Sequence, residues 1–266
     1  MSSTKRIRAI AVASALGIAL AAWTACGGEG GQAGGGQEAA AGGAAAAPTI
    51  QNPATIGGSV KFTGTPPKPE PIDMSEEQAC AGKYTSGPTA EDVIVNTNGT
   101  LQNVFVYVKE GLPADMTWPA PAEPKVLDQD GCRYHPHVLG IQVGQKLQIR
   151  NSDPVLHNIN AKPQAQRGFN ISQPVEGMTT ERTFNQPEVM VSVECDVHGW
   201  MNAYIGVLPH PFYGVTGDQG SFTLQGLPAG TYTIEAWHER YGTSTQTVTV
   251  GEGETKTIEF TFSATA

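Results

Sequence analysis

From about residue 55 onward, apolar and polar positions alternate with a period of two in short runs, and no apolar stripe at helical spacing competes with them. "TIGGSVKFTG" (55–64) reads as a strand with a glycine-bounded start. "DVIVNTNGTLQNVFVYVKEG" (92–111) reads as two strands, Val93 to Val95 and Val104 to Val108, around an Asn-Thr-Asn-Gly turn. "HVLGIQVGQKLQIRNSD" (137–153) predicts two more, hinged at Gly144, and "TTERTFNQPEVMVSVEC" (179–195) a further two. Proline-rich stretches at 66–84 and 112–124 interrupt the alternation and read as loops. From Val215 the runs shorten and Asp-Gln-Gly, Pro-Ala-Gly and Gly-Glu-Gly turns recur at regular intervals. There Phe222, Leu224, Leu227, Tyr232, Ile234 and Trp237 are expected to face a core. The fold class is all-β, and about 210 residues suffice for two small β domains.

The first residues follow a different pattern. Met1 to Arg8 is basic, Ala9 to Ala22 is apolar, and "WTAC" ends at Cys26. The apolar run is short for a membrane span and predicts a secretory signal over 1–25. The small residues before Cys26 resemble the lipobox of bacterial lipoproteins, which implies cleavage before Cys26 and its lipidation; the alternative is an ordinary signal peptide with a cysteine near the cut. Gly27, rather than an aspartate, implies outer-membrane sorting in a Gram-negative host. Residues 26–54 then read as the anchor and a Gly/Ala/Gln tether with a reach of roughly 25 Å. The expected location is the cell envelope, lipid-anchored and facing the periplasm or the exterior.

The formal charge is −9, and loss of Lys5, Arg6 and Arg8 with no acid takes it to −12. That balance disfavours nucleic acid and suits solubility or a cationic redox partner.

Four cysteines remain to be placed: Cys26, Cys80, Cys132 and Cys195. With Cys26 lipidated, an oxidising compartment should pair two of the other three. Cys195 sits amid His198 and Met201, as a metal thiolate would, which leaves Cys80 with Cys132. That bridge would close a loop of about fifty residues and contribute on the order of 4 kcal/mol. Pairing Cys132 with Cys195 is the alternative, and would leave Cys80 odd.

The candidate chemistry lies in two stretches. "YHPHVLGIQVGQKLQIRNSDPVLHN" (134–158) is followed by "CDVHGWM" (195–201). Together they resemble the cupredoxins: a Val-x-x-Gly turn, a strand, Asn-x-Asp and a His-Asn pair, then a short, amicyanin-like Cys-x-x-His-x-x-Met loop. The resemblance implies a Greek-key β-sandwich over about 92–211 carrying one type 1 copper. His157, Cys195 and His198 would be equatorial ligands and Met201 the axial one, with Asn158 hydrogen-bonded to the ligand loop. Two imidazoles, a thiolate and a weak thioether form the donor set of electron-transfer copper, and coordination would keep Cys195 from disulfide chemistry. Met190 competes for the axial role but lies mid-strand. Trp200 either shields the metal or simply packs. His135 and His137 share one face of an extended segment and could chelate a second metal, while His210 and His238 read as structural, His238 as a cap on a domain contact.

"GDQGSFTLQGLPAGTYTIEAWHE" (217–239) resembles the carboxypeptidase regulatory-like, or transthyretin-like, β-sandwich, which implies a small antiparallel module over 212–266. That stretch is short for such a sandwich. Its missing first strand is expected in 55–91, at "TIGGSVKFTG", with the copper domain inserted into or packed across the module and the Cys80–Cys132 bridge bracing the junction. No G-x-S-x-G or H-E-x-x-H motif is present, so an enzyme is not expected. The resemblance implies single-electron transfer with a c-type cytochrome or a membrane electron-transfer complex. Copper delivery, or a surface interaction protein with structural copper, are the alternatives.

Overall fold

The computed structural model of the protein describes residues 47–264, all within the unit Ala44–Ala266. The signal segment, Cys26 and most of the tether lie outside the described residues. In chain order the elements are β1 (Ala54–Thr63), α1 (Gln78–Ala81), β2 (Phe105–Glu110), β3 (Lys125–Gln129), β4 (Tyr134–His135), β5 (Val138–Gln142), β6 (Lys146–Asn151), β7 (His157–Lys162), β8 (Phe169–Gln173), β9 (Thr179–Thr183), β10 (Glu188–Glu194), β11 (Asn202–Leu208), β12 (Tyr213–Val215), β13 (Ser221–Leu227), β14 (Gly230–His238), β15 (Gly242–Val250) and β16 (Thr255–Ser263).

These strands form four sheets that pack as two sandwiches. One pairs the five-stranded sheet β5-β11-β10-β7-β8 with the four-stranded sheet β4-β3-β6-β9. Their shared core includes Leu127, Leu147 and Ile149 from one sheet and Ile141, Ile159, Val193 and Ile205 from the other. The chain passes between these sheets at Gly144, because β5 joins β11 whereas β6 joins β3 and β9. The second sandwich pairs β13-β1-β16 with β12-β2-β14-β15 around Ile56, Val106, Leu224, Ile234 and Phe260. Here β1 lies between the antiparallel β13 and the parallel β16, so residues 54–63 form the centre of a sheet otherwise built from the C-terminal part of the chain.

The range 92–211 expected for the copper domain does not follow the strand pairing. β2 pairs with β14 and β12 in the second sandwich. The strand expected at Val93 to Val95 reduces to one bridge, Val95 to Leu101. The reason is burial on two faces. Val106 and Val108 point into the second sandwich, while Phe105 and Tyr107 form a separate cluster with Val138 and Leu208 of the first. A strand covered on both sides reads as a continuous apolar run and carries no mark of the sheet that owns it.

Two further expectations change in β14. Tyr232, Ile234 and Ala236 face the core, so period two sends Trp237 to the opposite side, where it packs on Tyr204 of the first sandwich with ring centroids 5.0 Å apart. His238 falls on the core side, stacked on Tyr241 at 4.9 Å, and does not cap the domain contact. Its neighbour Glu239 does so, pairing with His137. Close approach of the sandwiches requires bare backbone at β5 and β11. A Cβ on Gly140 would lie 2.2 Å from the Tyr213 ring, and one on Gly206 2.5 Å from the Phe105 ring.

Candidate metal centre

The Cys195–Met201 stretch joins β10 to β11, adjacent antiparallel strands, so both its ends are fixed. The turn is closed by Cys195 N–H donating to Met201 O (3.1 Å) and Met201 N–H donating to His198 O (2.9 Å). His157 opens β7, which pairs with β10, and this brings it to the same end of the sheet. The Nδ1 atoms of His157 and His198 are 3.0 Å apart, and Cys195 Sγ is 3.9 Å from His198 Nδ1. The three donor atoms lie within 4.8 Å of one another, and all three residues are buried. Met201 is buried as well, in the core cluster that also holds Cys195.

Burial alone would push the Cys195 thiol up. The adjoining His157 and His198 rings, with backbone donors behind them, outweigh it and bring the thiol down to about 5. His157 is pushed down by burial and more strongly up by Asp153 and Cys195, so its net shift is upward. The cluster therefore sets a thiol biased toward its thiolate beside two histidine rings in a site closed to solvent.

Asn158 lies beside the loop. Asp196 N–H donates to its Oδ1 (2.6 Å), and its Nδ2 donates to Asp196 Oδ2 (3.0 Å) and Asn170 Oδ1 (2.7 Å). Asn160 and Asn170 add donors to the Asp196 carboxylate, which they hold below its usual range. Sequence reasoning did not single out Asn160, Asn170 or Asp196, although Asn160 follows Asn158 by two positions on one strand and Asp196 adjoins Cys195. Trp200 lies tilted against His198, with centroids 5.1 Å apart, and donates its indole N–H to Cys132 O (3.0 Å).

Cys80 and Cys132 are disulfide-bonded with Cα atoms 5.5 Å apart, and Cys195 is free. Asp153 ends the Asn-x-Asp element of the sequence pattern, which assigned it no role at the site. It is buried four residues before His157, and its Oδ2 accepts from His157 Nε2 (2.9 Å). The i to i+4 spacing of an acid and a histidine was the available signal. Among the described residues, the other donor cluster is Cys132, Asp153 and His157, whose sulfur is already in the disulfide. His135 is exposed against Asp130 O, and His137 is committed to Glu239 and Asn202 O, so these two histidines join no such cluster. Met190 packs at the junction between the sandwiches.

The donor set fits copper: a buried cysteine sulfur, two imidazoles and a buried methionine on the same loop are the ligand types that serve both of its oxidation states.

Among solved structures, the chain is similar to a copper-containing nitrite reductase from Thermus scotoductus SA-01, at 23% identity and TM-score 0.31 over 38% of this chain and 25% of that one. The present chain thus spans about a quarter of that reductase's length. It is also similar to the oxidized form of an amicyanin mutant, at 16% identity and TM-score 0.29 over 38% of this chain and 97% of that one. A purple cupredoxin from Nitrosopumilus maritimus aligns at 23% identity and TM-score 0.28 over 33% and 99%. No curated protein matches the chain. Residues 202–263 match the carboxypeptidase regulatory-like domain family, so the match spans β12 to β16 and also takes in β11, a strand of the first sandwich.

Proposed function

We propose that this protein is a single-electron carrier that holds one type 1 copper between His157, Cys195 and His198, with Met201 as the axial donor. The observation that carries this reading is the convergence of a nitrogen from each of two imidazoles and the Cys195 sulfur within 4.8 Å in a buried site. A copper ion bound there supplies a one-electron couple. The chain's own residues do the rest. His157 and Cys195 project from the ends of paired strands, and the Asn158–Asp196 hydrogen bonds hold the loop, so the donors keep their places when the charge at the centre changes. Burial excludes water and the oxidants that would otherwise capture the thiolate.

Lipid attachment at Cys26 and the following tether would place the carrier at the cell envelope, within reach of a c-type cytochrome or a membrane electron-transfer complex. No catalytic role is part of this proposal. The test is the visible spectrum of the copper-loaded protein, with Cys195→Ser as the control. An intense thiolate-to-copper band that disappears in the variant, and bleaches reversibly with reduced cytochrome c, is expected. A colourless copper-loaded protein overturns the assignment.

A further inference from the structure

The Asp153 carboxylate is the most heavily hydrogen-bonded buried group near the candidate centre. Its Oδ1 accepts from Gly131 N–H (2.9 Å) and Lys83 Nζ (2.5 Å), and its Oδ2 accepts from Cys132 N–H (2.8 Å) and His157 Nε2 (2.9 Å). Three of these four donors belong to the two segments that the disulfide joins. Lys83 follows Cys80 by three residues, and Gly131 and Cys132 form the turn between β3 and β4. Gly131 and Cys132 both have positive φ, 63° and 54°, so their consecutive N–H groups point to one side and make a cradle for an anion. Such a φ is unfavourable for cysteine by roughly 1–3 kcal/mol, and the surrounding contacts must hold it. Tyr84 contributes by donating its hydroxyl to Gly131 O (2.6 Å).

We propose that the disulfide-closed pair of segments around Cys80 and Cys132 is the positioning element of the candidate metal centre, acting on His157 through Asp153. An ionised carboxylate can only accept, so His157 must present Nε2–H to it. In the neutral ring that leaves the Nδ1 lone pair on the side of His198 and Cys195, the orientation a metal requires. The same turn reaches the other ligand segment, because Cys132 O accepts from the Trp200 indole. Asp153 is therefore a positioning residue for His157, and the turn aligns both ligand-bearing segments. The inference rests on the copper reading for its purpose, but the tautomer it assigns can be read without any metal.

Two variants and two readouts test it. With pH raised until the titration of the His157 ring is complete, so that the ring is neutral, nitrogen NMR of the metal-free wild type should show His157 protonated on Nε2. Asp153→Asn, whose amide can donate to that nitrogen, should shift the proton toward Nδ1. In copper titrations Asp153→Asn should bind at least tenfold more weakly, in line with other lost partners of metal-ligating histidines. The double variant Cys80→Ala/Cys132→Gly keeps the turn N–H groups and tolerates positive φ, yet should also weaken copper binding and shift the charge-transfer band. A wild-type His157 protonated on Nδ1 overturns the proposal, even if neither variant folds. So does unchanged copper affinity and spectrum in both variants. Should the wild type fail to bind copper while His157 shows the Nε2–H form and Asp153→Asn moves it, the copper reading falls and the positioning of His157 by Asp153 stands.

Discussion

His157 and His198, forty-one residues apart in sequence, face each other Nδ1 to Nδ1 at 3.0 Å with the Cys195 sulfur beside them. Such an arrangement is formed only in the folded chain, so a metal that bridges it binds the native state and not the unfolded one. Free metal at about a thousand times its dissociation constant then stabilises the fold by about 4 kcal/mol. Calorimetry should show Tm rising on loading with copper or zinc and returning on chelation. His157→Ala and His198→Ala should each abolish most of that rise; a metal-induced rise of full size in either variant would place the metal elsewhere.

Two histidines away from the centre predict acid sensitivity. Burial pushes His238 and His210 down to about 4 from an ordinary 6.5. Above pH 6.5 both rings are neutral whether the chain is folded or not. As pH falls from 6.5 toward 4 the unfolded chain takes up protons that the folded chain refuses, so stability is lost, by about 3 kcal/mol for each ring once pH is below 4. His137, held up by Glu239 against the effect of its burial, works in the opposite sense, and so does His157. Their stabilisation is fully present below the ordinary value and is lost as pH rises. The clean measurement is therefore a difference: urea stability of wild type and His238→Phe as a function of pH. The two curves should diverge between pH 6.5 and 4, with the variant losing less, and parallel curves would contradict the shift.

The part of the site legible in the sequence was its local part. Cys195, His198 and Met201 lie three residues apart on one loop, so their spacing could be read directly, and the cysteine count allowed the Cys80–Cys132 bridge to be named. The contributions of Lys83, Gly131 and Cys132 could not be seen, since two are backbone N–H groups aimed by a turn conformation and the third is an ordinary surface-type residue until its ion pair is known. In the fold, alternation located most strands but not their partners. "TIGGSVKFTG" carried a glycine-bounded signature of the C-terminal module, whereas "VFVYV" carried none, because both of its faces are buried. Trp237 shows the same limit on a smaller scale: counting by twos from Tyr232 and Ile234 places it opposite the core, and its apolar character had concealed that.

Asn158 should matter to loop rigidity more than to the donor set. Removing its amide takes the side-chain acceptor from Asp196 N–H, a part-buried hydrogen bond on an exposed residue, and costs roughly 0.5–1.5 kcal/mol. Asn158→Ala should lower the Tm of the metal-free protein and speed hydrogen exchange at Asp196, while a copper-loaded sample retains its colour. Exchange at Asp196 as slow as in the wild type would mean that the hydrogen bond contributes nothing to holding the loop.

The contact between the sandwiches offers a test in which two losses should partly cancel. Phe105 is fully buried, stacks with Tyr213 at 5.6 Å, and lies where a Cβ on Gly206 would meet its ring at 2.5 Å. Phe105→Ala should cost about 3–5 kcal/mol through the cavity it leaves. Gly206→Ala should cost about 1–3 kcal/mol by overpacking, since the Phe105 ring is enclosed and cannot retreat freely. In the double variant the alanine methyl enters space that the ring has vacated, so the clash with the ring disappears, only the flexible end of Met190 at 2.9 Å still has to shift, and part of the cavity is filled. The combined loss should therefore fall below the sum of the single losses by more than the ~0.5 kcal/mol expected of independent sites. Urea unfolding of the four proteins measures this directly. Additive losses would mean that the ring and the bare backbone of β11 do not meet.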